Sequence, residues 1–529
     1  MPDVDLAIVG SGFGGSILAM VARRLGLRVA LIERGRHERF AIGESSSPLA
    51  GILIEQLADR YDLPRLKPLA AFGAWQRAYP EVVCGLKRGF TYFKHEAGRP
   101  FAAAADRSNH LLVAASPHDE ISDTHWLRSD VDAFLMREAV ALGAEYADEV
   151  QLESLDWTAA GLAVLGGRRR GAAFRVGARG VIDATGPRGF LSRALALRPQ
   201  GFAGYPATHA LFSHFTGVAR CDDMPAYLGA GARGEAPPYP VDDAALHHVF
   251  DGGWMWVLRF GNGVTSAGVA IVDALAEELR AADGEAAWHR LLDRFPTVRA
   301  QFADARPTRQ FDYMPRLSYR APAAAGPRWA LLPSAAGFID PLFSTGFPLT
   351  LLGIERLAWL LDSGAFFGEP RAADPHRRPI GAPPSLDAYS AVTLDEADHT
   401  ARFVAGCYAG FPRFDDFVHY SMFYFAAASY AEMARRVSPE RAAAGFLRAA
   451  DPVFASAVRA LSPATLDARP AGDLGVRVRE AVASVNIAGL CEPGKRNWYA
   501  AEAADAIAGA AKLGVTPEAV ATSLEALGF

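Results

Sequence analysis

The first 33 residues contain two apolar runs separated by an amphipathic stretch. Residues 5–10 and 28–33 are short and apolar, whereas residues 14–25 carry apolar side chains at helical spacing. Apolar runs of this length are typical of buried strands, so the pattern predicts strand, helix and strand. We therefore expect an α/β fold that begins as a doubly wound, Rossmann-type sheet, with a further strand ending near residue 183.

A different pattern follows between about residues 200 and 320. Segments such as 254–260 and 265–271 have the length and composition of strands that face a core on one side. Strands of this kind are typical of antiparallel sheets. The pattern predicts an antiparallel substrate-side sheet inserted into the nucleotide-binding module, which as a whole is predicted to span residues 1–367.

The last part of the chain follows a proline-rich, charged stretch at residues 368–384, which predicts a linker. Residues 385–529 are rich in alanine and predict a helical C-terminal domain. Ser438, Ser462 and Thr516 each precede a proline, and this pair of residues is typical of a helix start.

Composition narrows the possible partners. The 529 residues carry a formal net charge of −5 and no long run of Lys or Arg, which argues against nucleic acid or an anionic membrane as a partner. The four cysteines show no metal-binding spacing, so we expect no metal site and free thiols in a cytoplasmic protein. The most apolar region, residues 329–361, is interrupted by acidic residues and prolines and does not predict a membrane span.

A glycine-rich motif lies between the first predicted strand and helix. Gly10, Gly12 and Gly15 form GxGxxG, in which the glycines permit a tight turn, a close approach to a pyrophosphate and close helix packing. Glu33 at the end of the second strand suits a hold on ribose hydroxyls. The alternative is a purely structural turn. A second GxGxxG begins at Gly229, but the prolines that follow it predict a loop.

Two later segments indicate FAD as the dinucleotide. Residues 183–186 (DATG) and 337–342 (GFIDPL) resemble the second and third flavin signatures of the FAD-dependent monooxygenase superfamily. This resemblance implies that Asp340 lies near the ribityl chain and that Arg128 contacts the flavin. The alternative for Arg128 is a surface arginine.

Four segments resemble the FAD-dependent halogenases, and in particular their phenolic subgroup. They are residues 43–48 (GESSSP), 84–90 (CGLKRGF), 246–257 (LHHVFDGGWMWV) and 338–346 (FIDPLFSTG). The resemblance implies a strap over the flavin at Gly43, Glu44 and Ser45, a catalytic Lys87, and a wall between flavin and substrate made by Trp254 and Trp256. It further implies a halide site at Ser344, Thr345 and Gly346.

The resemblance also implies a reaction. FAD reduced by a separate flavin reductase would, with O₂ and chloride or bromide, give a hypohalous acid. Lys87 would then hydrogen-bond this acid or form a haloamine, because lysine is a flexible donor whose pKa can fall on burial. Phe343 replaces the glutamate found in tryptophan halogenases. A phenolic ring, free or bound to a carrier protein, is therefore the expected substrate.

Alternatives remain at this stage. Leu258 and Arg259 replace the Ile-Pro that ends the family's tryptophan motif, and this departure favours a flavin-dependent aromatic hydroxylase as the alternative. A flavin-binding protein without chemistry of its own is a further alternative, against which Lys87 and the halide-type segment argue. Lys87 by itself is typical of a solvated lysine, and the two tryptophans are typical of core packing. The aromatic run at residues 411–425 predicts either a substrate pocket or the core of the C-terminal helices.

Overall fold

The computed structural model describes residues 3–228, 236–463 and 473–529, and the second glycine motif at residues 229–234 lies outside them. The described strands are β1 Val4–Val9, β2 Val29–Ile32, β3 Cys84–Lys87, β4 Gly89–Lys94, β5 His110–Ala114, β6 Asp123–Trp126, β7 Glu145–Ala147, β8 Val150–Trp157, β9 Ala163–Arg169, β10 Ala172–Asp183, β11 Thr208–Thr216, β12 Ala245–Phe250, β13 Gly253–Arg259, β14 Thr265–Val272, β15 Arg306–Pro307, β16 Asp312–Met314, β17 Tyr319–Arg320, β18 Ala325–Gly326, β19 Trp329–Leu331, β20 Gly337–Phe338 and β21 Trp498–Tyr499.

The described α-helices are α1 Phe13–Arg24, α2 Pro48–Arg60, α3 Phe72–Ala78, α4 Arg128–Ala141, α5 Phe190–Ala194, α6 Pro225–Leu228, α7 Asp273–Glu278, α8 Glu285–Arg294, α9 Pro296–Gln301, α10 Pro333–Ala336, α11 Gly346–Asp362, α12 Leu386–Gly410, α13 Phe414–Val437, α14 Pro439–Ala442, α15 Pro452–Ala460, α16 Leu474–Val482, α17 Ala503–Ala508, α18 Ala510–Leu513 and α19 Pro517–Leu527. No helix within the described ranges is long and apolar enough to cross a membrane.

The first sheet contains the predicted nucleotide-binding unit. Its strand order is β18-β19-β10-β1-β2-β7, and β1 pairs in parallel with both β2 and β10. The four residues of β2 are all buried, as expected for a strand covered on both faces. β8 and β9 extend the sheet through antiparallel pairs with each other and with β10. The predicted strand–helix–strand start and the α/β class are confirmed.

The second sheet is wider than the predicted insertion. Its order is β15-β11-β14-β13-β12-β4-β5-β21, and β16 also pairs with β11. β4 and β5 precede residue 200, while β21 comes from the C-terminal part of the chain. The strands predicted between about residues 200 and 320 are antiparallel to one another, and strands from outside that range extend the sheet. β12 pairs in parallel with β4, and β21 with β5, because these strands join the sheet from distant parts of the chain.

Long helices cover one end of the molecule. α12 and α13 pack along each other, and α13 also contacts α16. The side chain of Ser385 caps the start of α12, and that of Thr516 caps α19. The predicted helical character of the region after residue 385 is confirmed, while the division of the chain into domains at residues 367 and 385 stays a prediction.

Candidate active site

The glycine turn after β1 is built around two close backbone approaches. Gly10 has a φ of +101°, and a Cβ there would lie 2.7 Å from the carbonyl oxygen of Ala184. A Cβ on Gly15 would lie 1.9 Å from the carbonyl oxygen of Gly10. Both positions therefore require glycine. Gly12 is the N-cap of α1, so the helix begins where the turn ends and its first amide groups face outward.

Glu33 supports this turn from the end of β2. Its carboxylate accepts hydrogen bonds from the Ser11 amide at 3.1 Å, the Ser11 hydroxyl at 3.0 Å and the Arg39 guanidinium at 3.0 Å. Burial would raise the pKa of Glu33, but Arg39 and hydrogen bonds from the Gly35 and Ser11 backbone lower this pKa to about 2. Glu33 is thus a firmly ionised acceptor next to the glycine turn.

A cavity of about 310 Å³ begins at the glycine turn and runs toward the second sheet. Its walls come from the turn, the loop after β2, the second sheet and the start of α11. It collects most of the sequence-predicted site residues, namely Gly12, Gly43, Glu44, Ser45, Arg128, Trp254, Trp256, Asp340, Ser344, Thr345 and Gly346. Three predicted residues do not line the cavity but form or support the glycine turn, namely Gly10, Gly15 and Glu33.

The predicted strap, residues 43–45, lies across this cavity and is held at several points. The carbonyl oxygen of Glu44 accepts a hydrogen bond from the Trp126 amide at 2.6 Å. The Glu44 carboxylate contacts His214 on β11 at 2.7 Å. The Gly43 carbonyl accepts a hydrogen bond from Arg128 at 2.8 Å. The strap therefore links the nucleotide-binding unit to the second sheet.

Arg128 lies at the start of α4 and is only 7% exposed, so the alternative of a surface arginine was wrong. Its guanidinium donates two hydrogen bonds to Asp132, at 2.8 and 2.9 Å. The same carboxylate accepts a hydrogen bond from the Phe13 amide at the start of α1. Asp132 was not predicted, although its spacing of four residues from Arg128 on a helix is a usable signal.

The cavity wall contains polar atoms that lack a partner within the described protein. Glu44 Oε2 and Ser45 Oγ are buried without a hydrogen-bond partner, and both residues line the cavity. Buried polar atoms are normally satisfied, so these two indicate a polar ligand. Together with the glycine turn and the start of α1, they fit a dinucleotide, whose phosphates and hydroxyls supply the missing partners.

Asp340 lies farther along the same cavity, after β20. Its carboxylate accepts a hydrogen bond from the Tyr408 hydroxyl on α12 at 2.7 Å and another from the Leu342 amide at 2.9 Å. Burial raises the pKa of Asp340 to about 7, and these hydrogen bonds oppose the rise. Tyr408 was not recognised from the sequence, because a tyrosine in a helical region carries no motif.

Lys87 is fully buried, so the interpretation as a solvated lysine was wrong. It ends β3, and its ammonium group donates a hydrogen bond to the Ser46 carbonyl and lies 3.3 Å from the Ser344 hydroxyl oxygen. The ammonium nitrogen also lies 4.0 Å from the centre of the Phe90 ring, a cation–π contact. Burial lowers the pKa of Lys87.

Asp123 is the residue opposite Lys87 in the β3–β6 pair and was missed in the sequence. Burial raises its pKa, and the nearby Lys87 charge opposes the rise. In return, the Asp123 charge opposes the fall of the Lys87 pKa. Asp123 Oδ2 has no hydrogen-bond partner among the described residues. The two groups form a buried acid–base pair beside the strap.

The predicted halide segment leads into α11. Ser344 has a φ of +56°, and its amide donates a hydrogen bond to the Pro341 carbonyl at 3.0 Å. The Ser344 amide is therefore engaged in a turn, while its hydroxyl faces Lys87. Thr345 is the N-cap of α11 and Gly346 its first residue, so the amides of these two residues are the open donors.

Trp254 and Trp256 lie on β13 and are buried, with 1% and 5% exposure. Both line the cavity, and their ring centres are 5.7 Å apart. Leu258 lines the same cavity. Arg259 turns away from it, binds Asp242 at 2.7 Å and donates to the Val218 carbonyl at 3.0 Å. The charge that this sequence adds to the motif is thus neutralised outside the cavity.

A second cavity of about 150 Å³ adjoins residues that surround Lys87. Phe90, which carries the Lys87 ammonium on its face, is part of its wall, as is Ser47 next to the Ser46 carbonyl. Other parts of the wall come from α13 and from residues 487–529. An apolar cavity of about this volume accommodates one benzene ring. Lys87 is in neither described wall, but its ammonium group contacts Ser344 in the wall of the first cavity and Phe90 in the wall of the second.

The aromatic run at residues 411–425 lies mostly in the protein core, and two of its residues also line a cavity, while its use as a substrate pocket stays a prediction. Most of its rings are buried between α12 and α13. Tyr424 and Phe425 also line the second cavity. Tyr424 stacks on Phe343 with ring centres 4.0 Å apart, and its hydroxyl donates to the Phe343 carbonyl. Phe343 is thus part of an aromatic stack that adjoins the halide segment.

Metal ions in proteins are held by sets of ligands such as His, Cys, Asp and Glu. The described ranges contain no cluster of His, Cys, Asp or Glu able to hold a metal ion. All four cysteines are free thiols, and three of them are buried.

Known halogenases are similar to this chain in sequence. The chain is 32% identical over 369 residues to the tetracycline 7-halogenase of Kitasatospora aureofaciens, a match that covers 68% of this chain and 63% of that protein. It is 29% identical over 415 residues to the monodechloroaminopyrrolnitrin halogenase PrnC of Pseudomonas fluorescens, covering 78% of this chain and 68% of PrnC. No protein-family model matches the chain.

A solved structure shares the fold over nearly its full length. The halogenase PltM in complex with phloroglucinol and FAD superposes with a TM-score of 0.78 and 23% identity, covering 94% of this chain and 99% of that one. The fold and the first cavity define the protein as an α/β protein with a dinucleotide-type cavity. Its sequence relatives narrow the comparison, because the chain is similar to flavin-dependent halogenases over 68% and 78% of its length.

Proposed function

We propose that the protein halogenates an electron-rich, phenolic aromatic ring. The observation that carries this proposal is the position of Lys87, whose buried ammonium group contacts Ser344 in the wall of the dinucleotide cavity and Phe90 in the wall of a second cavity of ring size. The match with the tetracycline 7-halogenase spans less than two thirds of that protein, so the activity of this chain rests on its own residues.

The FAD residues have a binding and shielding role in this proposal. Gly12, the start of α1, Glu44 and Arg128 hold the cofactor along the first cavity. Reduced FAD, with O₂ and a bound halide, supplies a hypohalous acid. The amides of Thr345 and Gly346 bind the halide at the start of α11, where the helix dipole favours an anion.

Lys87 performs the transfer. Its ammonium group donates a hydrogen bond to the hypohalous acid, or its free amine takes the halogen to form a haloamine while water leaves. Either form presents the electrophilic halogen to the ring in the second cavity, and the ring carbon releases its proton as the carbon–halogen bond forms. Trp254 and Trp256 line the dinucleotide cavity on the side of the second sheet, and neither is part of the described wall of the second cavity. A ring held in the second cavity stays apart from the flavin, which disfavours direct oxygen transfer to the ring.

A separate flavin reductase is the proposed source of reduced FAD, since the glycine motif at residues 10–15 is the only one that the structure describes in a strand–helix setting. The ring arrives either free or bound to a carrier protein, as in the names of two further relatives that act on carrier-bound pyrroles.

One assay tests the proposal. The protein is incubated with FAD, a flavin reductase, NADH, bromide or chloride, and a panel of resorcinols, and product masses are measured. A product with the halogen isotope pattern supports halogenation. A gain of one oxygen without halogen supports the alternative, a flavin-dependent hydroxylase. Absence of any product with tight FAD binding would leave a flavin-binding protein without this chemistry and overturn the proposal.

A further inference from the structure

The second cavity has an uneven distribution of charge. The charged side chains in its wall are two glutamates, Glu432 and Glu502, and no Lys, Arg or His side chain is part of the described wall. The rest of the wall is mostly apolar, with Phe90, Phe425 and Tyr499 among its rings. Such a wall favours an uncharged ring that offers a hydrogen-bond donor, and it disfavours a carboxylate.

The two glutamates differ in their partners. Glu502 is half exposed and binds Lys495 at 3.0 Å. Glu432 has no hydrogen bond or ion pair with any described residue, and the nearby Arg436 is directed to Glu55 at 3.6 Å. Glu432 is half-buried. Burial raises its pKa to about 8, the nearby Arg436 charge opposes this rise, and the Asp123 charge adds to it. A partnerless carboxyl group in the wall of a cavity is costly unless a ligand satisfies it.

Glu432 lies on the same face of α13 as Phe425, whose neighbour Phe90 contacts Lys87. Phe425, Ser429 and Glu432 lie on α13 at helical spacing and line the same side of the cavity. Phe425 packs against Phe90 with ring centres 5.1 Å apart, and Phe90 carries the Lys87 ammonium. Glu432 follows seven residues later, about 10 Å along the helix axis. Phe425, which packs against the ring that holds Lys87, and Glu432 therefore stand at different points along one wall of the second cavity.

We propose that Glu432 is the positioning and specificity-determining residue of the second cavity. It hydrogen-bonds a hydroxyl or amino group of a neutral, single-ring aromatic and so turns one ring carbon toward Lys87. This inference rests on the proposed function, because it takes the second cavity to be the acceptor site. It commits the substrate to a neutral phenol or arylamine and excludes ring carboxylates.

The test uses the FAD-loaded enzyme and three variants. Glu432→Leu removes the hydrogen bond, Glu432→Gln keeps it without the charge, and Glu502→Gln is the matched control in the same wall. The probes are resorcinol, aniline and 2,4-dihydroxybenzoate. Binding is measured by titration calorimetry without reductant, and turnover by KM, kcat and the ratio of regioisomers.

For Glu432→Leu we expect the Kd and KM of resorcinol to rise about tenfold with kcat within about threefold, because a lost hydrogen bond to a buried polar group weakens binding by roughly this factor. We also expect mixed regioisomers and improved acceptance of 2,4-dihydroxybenzoate. Glu432→Gln and Glu502→Gln should stay within about threefold of the parent Kd at pH 7. FAD affinity should be unchanged in all variants.

The outcomes separate this inference from the proposed function. If the wild-type enzyme halogenates no ring, the proposed function fails, while the calorimetric comparison of wild type and Glu432→Leu still tests the inference. An unchanged Kd and a single regioisomer in Glu432→Leu would overturn the role of Glu432. Failure of resorcinol and aniline to bind the wild-type protein, or tighter binding of 2,4-dihydroxybenzoate, would overturn it as well.

Discussion

The ammonium nitrogen of Lys87 lies 3.3 Å from the hydroxyl oxygen of Ser344, so the end of β3 touches the segment that leads into α11. Ser344 lines the dinucleotide cavity, whereas the Phe90 ring beneath the same ammonium lines the second cavity. Lys87 is therefore a side chain that contacts wall residues of both cavities.

Replacement of Lys87 by methionine should abolish halogenation. Methionine fills a similar volume without the ammonium group, so the loss reports on hydrogen-bond donation and not on a cavity. We expect kcat to fall by at least about 100-fold, the lower end of what a positioned acid or base contributes. Product formation by mass spectrometry measures the effect, and FAD affinity should remain within about twofold of the parent.

The matched control for this variant is Lys67→Met. Lys67 is exposed and forms an ion pair with Asp59 at 2.7 Å. Neither residue is part of the wall of either cavity. It should keep full activity. Normal halogenation by Lys87→Met, with the halogen isotope pattern retained, would remove Lys87 from the chemistry and would leave its burial as a structural feature only.

Asp123 should act on the reaction through the pKa of Lys87. The Asp123 charge favours the protonated amine, which opposes the fall in pKa that burial causes. Asp123→Asn removes this support, so the pKa of Lys87 should fall further. We expect the alkaline limb of the pH–kcat profile to move to lower pH by about one unit, at the low end of the effect of a nearby opposite charge.

Asp119→Asn is the control for the Asp123 variant. Asp119 is exposed and binds Arg88, the residue that follows Lys87 in the chain, at 2.8 Å. Its removal changes the net charge by the same amount but should leave the pH profile in place. A limb that moves equally in both variants would indicate a general effect of net charge rather than the Lys87–Asp123 pair.

The parts of the site that sequence reasoning predicted are those carried by local motifs. The glycine turn needs strand, turn and helix in immediate succession, and Lys87 is marked by the glycines and Phe90 around it. Both signals lie within a few residues of the side chain concerned. The structure accordingly has β1, α1 and β2 where the hydrophobic pattern predicts them.

Residues that act across strands or helices were not predictable in this way. Asp123 meets Lys87 only because β3 pairs with β6, and Glu432 reaches the second cavity from α13. Neither residue has a motif of its own. The same limitation explains why the second sheet is wider than predicted, since β21 joins β5 from almost 400 residues away in the chain. Pairing between distant strands leaves no local pattern.

Glu33 should make the stability of the protein sensitive to acid. In the folded protein its pKa is about 2, against an ordinary value of 4.5. Its charge therefore stabilises the fold above pH 4.5, and this contribution is lost as the pH falls toward 2. We expect Glu33→Gln to lower the free energy of unfolding at pH 7 by at most about 3 kcal/mol, since one pKa unit corresponds to about 1.4 kcal/mol.

Urea unfolding at pH 7 and at several values between pH 4.5 and 2.5 measures this contribution. The stability of Glu33→Gln should fall less steeply over that range than that of the parent. Glu153→Gln on β8 serves as the control, because Glu153 is exposed and its contact with Arg168 is long, at 3.7 Å. Parallel acid curves for parent and Glu33→Gln would contradict the assigned role.

Arg259 should matter for stability and not for chemistry. It replaces the proline of the family motif, yet its guanidinium binds the fully buried Asp242 at 2.7 Å and faces away from the dinucleotide cavity. Arg259→Ala leaves the Asp242 charge buried without its partner, which typically costs about 3 kcal/mol or more. We expect urea unfolding to report this loss while kcat stays within about twofold of the parent.

The double variant Arg259→Ala/Asp242→Asn distinguishes the two possible roles of Arg259. If the arginine serves only to neutralise Asp242, removing the buried charge as well should restore part of the lost stability. A tenfold fall in kcat in Arg259→Ala with unchanged unfolding would instead indicate that the altered end of the tryptophan motif takes part in the reaction. The structure favours the first outcome, because Leu258 and not Arg259 faces the cavity.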